Sequence, residues 1–521
     1  MPQDNWTHRD HRDRLARAGQ FDVAVIGGGV IGCGVTLDLQ TRGLSTVLLE
    51  QTDFAAGTSS RSTKLFHGGI RYLPQFRFHL VSEGLREQRV LARVADYLFE
   101  PLEFVVPVYD QLGLADAPAW AATGRRASFI LGAGLTLYDL LGGIGRPGER
   151  NRRLSKMEVT KAVPRLRSEG LRGGFVYSDA QTDDARLVIA LARTAVDHGS
   201  VAVNRARATT VTRAGNGFEI QIADQQVRAR SVVAATGAFA APGSWSSPLL
   251  LSKGAHVIVA KNEVGLGEHA IVLPKTDDGR VLFIIPWAGH ALIGTTDSKY
   301  TGSPMHPVVD QADVEYLLEH VARFLEVGPL QALSTFAGLR ALADTEAENT
   351  ATASREHAVR EAEPGYFQVT GGKLTTYRRI AAKVADRVAR YLSHSAKSRT
   401  LQVPLAGAGG GGPDGDALRT RYGTRAEVVR EMMTTVAGGG RLLADGRTYL
   451  GEVAHAVEHE SVTTIADFTL RRTRLALLSR DHALSDAPGI AQVMGNALGW
   501  TPAERARQLD LHEAELTVEG L

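Results

Sequence analysis

The sequence predicts an α/β protein with a parallel-sheet domain, an antiparallel-sheet domain and a C-terminal helical domain. Three observations carry that prediction. Residues 21–50 run from FDVAVIG through a glycine-led helical stretch to STVLLE, a βαβ unit at the start of the folded chain. Between roughly 250 and 335, alternating runs such as AHVIVA, RVLFIIPW and HALIGTTD suggest antiparallel strands that wall off a chamber. From 416 to 521 the chain is rich in Ala, Leu, Arg and Glu and poor in strand signals, which predicts helices.

Taken in order, residues 1–20 form a polar, charged extension with no apolar core of the kind a signal peptide or anchor needs. A discontinuous first domain is expected over 21–95, 165–250 and 335–400, the middle piece holding a buried-type strand, SVVAATG, that ends at Gly237. A second domain is expected over 96–164 and 251–334. Within it, Ala127 to Gly145 is apolar but carries Asp139 and five glycines, with Arg125, Arg126 and Arg146 at its flanks. One reading is a buried helix pair with a glycine turn. The other is a segment resting in a membrane interface, its cations toward lipid headgroups. The run AGAGGGGPDG over 406–415 cannot pack and predicts a linker, here bounded as 401–415, before the helical domain at 416–521.

At 521 residues, with 44% apolar and 22% charged residues, the chain is ordinary globular material, which excludes disordered and fibrous classes. Lys and Arg total 59 against 57 for Asp and Glu, so charge gives no case for nucleic acid. Cys33 is the only cysteine. No intrachain disulfide and no zinc–thiolate cluster can form, which suits a reducing compartment, and no metal site is expected.

Gly27-Gly28-Gly29-Val30-Ile31-Gly32 fits G-x-G-x-x-G directly after a strand and at the start of a helix. Gly27 allows the tight turn, Gly29 lets backbone approach a pyrophosphate, and Gly32 permits close helix–strand packing. Free N–H groups and the helix dipole then face the phosphates. Glu50 stands eighteen positions after Gly32, at the end of the second strand, where a carboxylate can accept hydrogen bonds from a ribose diol. An acid there disfavours NADP. Together these make the first domain Rossmann-like.

FAD is favoured over NAD by Gly57-Thr58-Ser59-Ser60-Arg61-Ser62-Thr63-Lys64, whose hydroxyls and second helix start suit a pyrophosphate reached from its other side. The plainer alternative is an N-cap cluster. The expected FAD contacts are Gly27, Gly28, Gly29, Ile31, Gly32, Glu50, Gln51, Thr58, Ser59, Ser60, Lys64 and Leu65. Ala235, Thr236 and Gly237 close a strand near the same ligand.

The runs IGGGVIGCGVTLDLQTRG (Ile26–Gly43), SSRSTKLFHGGIRYL (Ser59–Leu73), YSDAQTDDARLV (Tyr177–Val188) and GGKLTTYRRIA (Gly371–Ala381) together resemble FAD-dependent glycerol-3-phosphate dehydrogenases. The likeness covers about 20–400, and EHESVTTIADFTLRRTR (Glu458–Arg474) resembles that family's C-terminal helical domain. Thr36 in place of alanine and Ala341 in place of proline are departures beside matching residues. The resemblance implies an FAD-binding domain of the glutathione-reductase and amino-acid-oxidase type, a β-sheet substrate domain and a helical cap. It further implies oxidation of sn-glycerol 3-phosphate to dihydroxyacetone phosphate, with electrons passed to a membrane quinone. That places the protein in the cytoplasm, held peripherally at the inner face of the plasma membrane, and leaves a homodimer open. A related oxidase uses oxygen but typically carries an insertion that this chain lacks.

The chemistry asks for a grip on a dianionic phosphate, a base for the hydroxyl proton, and an acceptor for the C2 hydride. Arg71, Arg340 and Arg355 match the family's cationic substrate residues, and arginine's planar fork suits phosphate. Tyr72 can add a hydroxyl. His256 is the first choice of base, because imidazole titrates near working pH, although a strand histidine is often only a satisfied core group. Arg340 can share the catalytic work by stabilising a developing alkoxide. His67, Gly68 and Gly69 are expected to line the flavin. Gly372, Lys373, Leu374 and Thr375 open a helix whose N–H groups can meet charge on reduced flavin, with Lys373 shared between flavin and substrate. Asp183 and Asp184 mainly start a helix.

Two rival readings use the same fold. A flavin amine or amino-acid oxidase wants one arginine for a carboxylate and an apolar pocket, whereas three arginines and Lys373 favour phosphate. A non-catalytic flavoprotein would hold FAD that no polyol phosphate bleaches.

Overall fold

The computed structural model of the chain describes residues 5–73, 76–110, 124–143, 150–223, 225–243, 249–273, 276, 281–342, 357–413 and 415–521, the side chains of Arg71 and 124–127 excepted. Its first sheet has the expected parallel centre. Strand Phe21–Ile26 pairs in parallel with Thr46–Leu49 on one side and Gln225–Ala234 on the other. Val201–Val203 and Tyr366–Thr370 extend the sheet outward. An antiparallel meander, Ala208–Ala214, Gly217–Ile222 and Gln225–Ala234, leaves from it. Alternate side chains enter two cores: Val23 and Val25 pack with helices Val30–Thr41, Asp184–Asp197 and Tyr377–Tyr391, whereas Ala24 and Ile26 pack with Phe218 and Ile220. A strand covered on both faces is apolar throughout, which is why FDVAVIG stood out.

The second sheet runs Ser298–Tyr300, Leu250–Ala260, His290–Gly294, Leu282–Trp287, Ala270–Leu273, Glu100–Tyr109, Leu171–Gln181, Leu65–Phe66. It is antiparallel except where Ala270–Leu273 joins Glu100–Tyr109 in parallel. The expected boundaries need correcting here. Leu171–Gln181, expected in the first domain, pairs along its whole length with Glu100–Tyr109, and Ser334–Leu342 pairs with Leu250–Ala260. Both strands therefore belong to the second sheet. Sheet membership is decided by the hydrogen-bonded neighbour, which local pattern does not reveal.

Two other readings also change. The segment expected as a helix pair is one helix, Gly124–Gly142, with Leu135 and Tyr138 wholly buried and Phe129 and Leu140 77% and 72% exposed. Among the described residues no helix is long and apolar enough to cross a membrane. The glycine-rich run is docked rather than free: Ala406 accepts from the Tyr97 hydroxyl, and the N–H groups of Gly409 and Gly411 donate to the Asp96 carboxylate.

The N-terminal extension, uninterpretable from sequence, is a clasp. Trp6 is fully buried; its indole donates to the Ala202 carbonyl on the edge strand Val201–Val203. Its backbone N–H donates to Glu458, and its carbonyl accepts from Ser461, in the helical domain. His11 accepts from the Ala202 N–H. This covers a sheet edge that would otherwise be bare.

Buried ions join the helical domain to the first. Asp53, fully buried, receives Arg471 Nε at 2.7 Å and both terminal nitrogens of Arg472 at 2.8 and 2.9 Å. Arg186 grips Glu460 with two bonds of 2.8 and 2.7 Å. Arg474 pairs with Asp183 and Asp184. The run Glu458–Arg474 therefore forms this interface.

Enclosed histidines set an acid limit on stability. Burial pushes His11 and His455 down to about 3 and His459 and His512 down to about 4, from an ordinary 6.5. Below pH 6.5 the unfolded chain takes up protons that the folded chain refuses. Stability is therefore intact above 6.5 and falls as pH drops toward 4, by at most about 1.4 kcal/mol per unit for each histidine. Urea unfolding at pH 7.5 and pH 5 is expected to show a clearly lower midpoint at pH 5. Equal midpoints would contradict this.

Candidate active site

The glycine turn is built as the fingerprint requires. Gly27 has φ +111°, and a Cβ there would sit 2.4 Å from the Ala235 carbonyl oxygen; at Gly32 a Cβ would sit 1.8 Å from that of Gly27. No larger residue fits either position. Gly28 N–H donates to Glu50 Oε2 at 2.7 Å, and Thr52 N–H donates to Oε1 at 2.8 Å. Glu50 thus fixes the turn from behind. Burial raises its proton affinity, opposed by those two N–H groups. Ser59 Oγ accepts from Val30 N–H at 2.9 Å, so the second hydroxyl-rich segment lies against the first helix start. At Gly29 an added Cβ would meet only Ser59, its hydroxyl oxygen at 3.0 Å. This cradle suits a pyrophosphate, and Gly29 leaves the approach open.

Other expected cofactor residues gather around it. Ala235 N–H donates to Ile26, Thr236 Oγ1 donates to the Phe239 carbonyl, and Gly237 has φ +62°. Gly372 has φ +110°, and a Cβ there would touch Ile380 and Ile31, which brings the turn at 371–375 onto the first helix. Leu374 packs on the same core. Thr375 Oγ1 accepts from His67 N–H at 3.0 Å, joining that turn to the one containing Gly68 and Gly69. Lys373 Nζ lies 4.2 Å from the centre of the Tyr72 ring, so two predicted substrate residues meet.

The third group lies where the second sheet meets 57–64. Thr58 Oγ1 donates to the Leu339 carbonyl at 2.5 Å, next to Arg340. Thr63 Oγ1 is 3.0 Å from His256 Nε2, and the imidazole stacks on Phe336 at 4.7 Å. His256 is 2% exposed; burial first, then the Arg340 and Lys64 charges, hold its pKa well below 6.5. The ring is neutral at neutral pH, and the same burial and charges make it a weaker base than an ordinary imidazole. The Arg340 side chain is 27% exposed, against Ser252, Thr295 and Thr296.

Some predicted residues are placed otherwise. The Lys64 ammonium does not face a ligand: it is fully buried, bonded to Asp184 at 3.0 Å and to the Ser60 carbonyl, and lies over the Trp287 and Phe336 rings. Burial outweighs Asp184 and lowers its pKa to about 8. Its backbone is engaged as well: the N–H donates to Ser62 Oγ and the carbonyl accepts from Thr182 N–H. Gln51 Nε2 turns toward the Met305 sulfur at 3.9 Å. Leu65 lies in the short strand paired with Leu171–Gln181. The Arg71 backbone lies in the turn Ile70–Tyr72, its side chain outside what is described, and Arg355 lies outside the described residues altogether.

Sequence reasoning missed the residues that hold these pieces. Asp179 Oδ1 accepts from Tyr138, Gln88 and Gly68 N–H, at 2.6, 2.7 and 3.3 Å, fixing the 66–69 turn. Asp184 accepts from Ser62 N–H and hydroxyl as well as Lys64, beyond its expected place at a helix start, while Asp183 is the helix cap. Asp179 sits inside a motif already singled out, so only its role was hidden.

The comparisons with known proteins identify the family. A family model described as FAD dependent oxidoreductase matches residues 22–387, and one described as the C-terminal domain of alpha-glycerophosphate oxidase matches 398–505. Glycerol-3-phosphate dehydrogenase 2 of Mycobacterium tuberculosis is 34% identical over 541 residues, covering 96% of this chain and 89% of that protein. Aerobic glycerol-3-phosphate dehydrogenase of Staphylococcus saprophyticus is 30% identical, covering 93% and 92%. The crystal structure of the glycerol-3-phosphate dehydrogenase from Bacillus halodurans, complexed with FAD, superposes with a TM-score of 0.76 at 25% identity, covering 98% and 97%. By its cradle, its domains and its relatives together, the chain belongs to the family of FAD-dependent glycerol-3-phosphate dehydrogenases.

Proposed function

We propose that the protein oxidises sn-glycerol 3-phosphate to dihydroxyacetone phosphate and passes the electrons to a membrane quinone. One observation carries the reading most: a part-exposed guanidinium, Arg340, and a buried imidazole, His256, stand on the paired strands Ser334–Leu342 and Leu250–Ala260. A cation to hold an anionic alcohol and a base to take its proton are what the reaction needs. The oxidation removes a hydride from C2 and a proton from its hydroxyl. Bound FAD supplies the acceptor for the two electrons.

In this proposal the Gly27–Gly32 turn and Ser59 cradle the FAD pyrophosphate, and Glu50 holds that turn and meets the ribose. The 66–69 and 371–375 turns, tied through Thr375, border the isoalloxazine. Arg340 and Lys373 hold the substrate's anionic oxygens, and Tyr72 keeps the Lys373 ammonium in place by the contact of its ring. Arg71 and Arg355 are assigned the same cationic role on the family resemblance. His256 Nε2 receives the hydroxyl proton while Thr63 and Phe336 fix the ring. The three domains act as cofactor unit, substrate wall and cap.

Exposed apolar side chains supply the membrane-facing side. Helix Gly124–Gly142 exposes Phe129 and Leu140, and the neighbouring Phe76 and Phe78 are 79% and 37% exposed. Exposed apolar side chains on these contacting segments suit a docking face. A cytoplasmic protein held peripherally on the membrane would reach quinone from here. With sn-glycerol 3-phosphate in excess, turnover with a short-chain quinone is expected to exceed turnover with oxygen by at least about tenfold. Equal or faster turnover with oxygen would favour the oxidase reading.

A further inference from the structure

The loop after strand His290–Gly294 closes around the Arg340 guanidinium from behind. Arg340 faces Ser252 across the paired strands Leu250–Ala260 and Ser334–Leu342. Nη1 lies 3.4 Å from Ser252 Oγ and 3.5 Å from the Thr296 carbonyl oxygen, and Nη2 lies 3.3 Å from Thr295 Oγ1. These are long contacts, and none alone fixes the fork. Asp297 adds an opposite charge, at the distance of an ion pair and not of a hydrogen bond. Its Oδ1 is 3.6 Å from Arg340 Nη1 and accepts the Ser252 hydroxyl proton in a hydrogen bond. Asp297 is 7% exposed and Ser252 1%, whereas the Arg340 side chain keeps 27%. The carboxylate is therefore set behind the cation, inside the protein. Gly254 leaves room for the arrangement, since a Cβ there would lie 2.4 Å from Nη2.

A buried carboxylate needs compensation, and a long arginine stem needs restraint. Asp297, Ser252 and Arg340 meet both needs together. We propose that Asp297 is a positioning residue which, with Ser252 as its bridge, aims the Arg340 guanidinium at the anionic oxygen of the substrate. The proposal rests on the role given to Arg340 above. Asp297 touches neither substrate nor FAD in this account; it acts through the arginine alone.

The test is a double-mutant cycle on the FAD-loaded enzyme, read as single-turnover flavin reduction by sn-glycerol 3-phosphate. Asp297→Asn is expected to slow reduction about 10²-fold, the cost of a small misplacement of a binding group, with FAD still bound. In an Arg340→Ala background the same substitution is expected to add less than about twofold, because the group it positions is gone. Equal losses in both backgrounds, or an unimpaired Asp297→Asn, would overturn the proposal. Should Asp297→Asn fail to retain FAD, Ser252→Ala replaces it, with about a tenfold loss expected beside Arg340 and none without it. No loss beside Arg340 would overturn the proposal there too. Unchanged kinetics in Arg340→Ala would remove the underlying reading and the proposal with it. A crippled Arg340→Ala beside an intact Asp297→Asn would remove the proposal alone.

Discussion

Arg340→Ala is expected to lower kcat/KM for sn-glycerol 3-phosphate by about 10³-fold or more while the protein stays yellow. The guanidinium is the part-exposed cation beside His256, and it takes no part in the glycine cradle. Removing it withdraws charge from the substrate's oxygens and leaves the FAD site untouched. Arg340→Lys keeps the charge but loses the planar fork, and is expected to recover only part of the rate. Steady-state kinetics together with flavin content separate the two effects. Unchanged kinetics in Arg340→Ala would take this residue out of the site.

The second large effect concerns stability. Asp53→Ala is expected to destabilise the protein by about 3–5 kcal/mol, the usual result of leaving buried charge unpaired. Asp53 holds Arg471 and Arg472 together, and Arg472 is itself fully buried. The damage would reach the junction between the first domain and the helical domain, because Asn204 donates to the same carboxylate and also to the Ser461 carbonyl. Asp53→Asn keeps the volume and removes the charge, so it is expected to lose nearly as much. Urea unfolding measures both. A loss below about 1 kcal/mol in each variant would mean that the two guanidiniums find other partners.

What was legible from sequence was local. The turn at Gly27–Gly32 forces its own geometry, since a Cβ at Gly32 would collide with Gly27 itself, so these six residues, with the flanking strand and helix and Glu50, carried the nucleotide site. The strand and helix around it followed from apolar periodicity. Arg340 was found through a resemblance and His256 through the titration range of imidazole, and the structure brings them to adjacent strands. What was not legible was pairing at a distance. Lys64 was expected to contact FAD, but the partner of its ammonium, Asp184, is 120 positions away. Strand Leu171–Gln181 fell to the wrong domain because its neighbour, Glu100–Tyr109, comes from another part of the chain. Trp6 and Asp297 carried no local signal either: each matters through contacts made by folding, to Ala202 and to Arg340. The glycine-rich run misled for the opposite reason. Its composition is that of a linker, yet bare N–H groups are what the Asp96 carboxylate needs.

The central claim is that a secondary alcohol bearing a phosphate delivers its electrons to FAD in this site. Anaerobic addition of sn-glycerol 3-phosphate to the FAD-loaded protein tests it most directly. The account predicts rapid, complete loss of the oxidised-flavin absorbance, with glycerol and amino acids leaving the colour unchanged. Colour that persists with sn-glycerol 3-phosphate, or that fades only with an amine or amino acid, would contradict it.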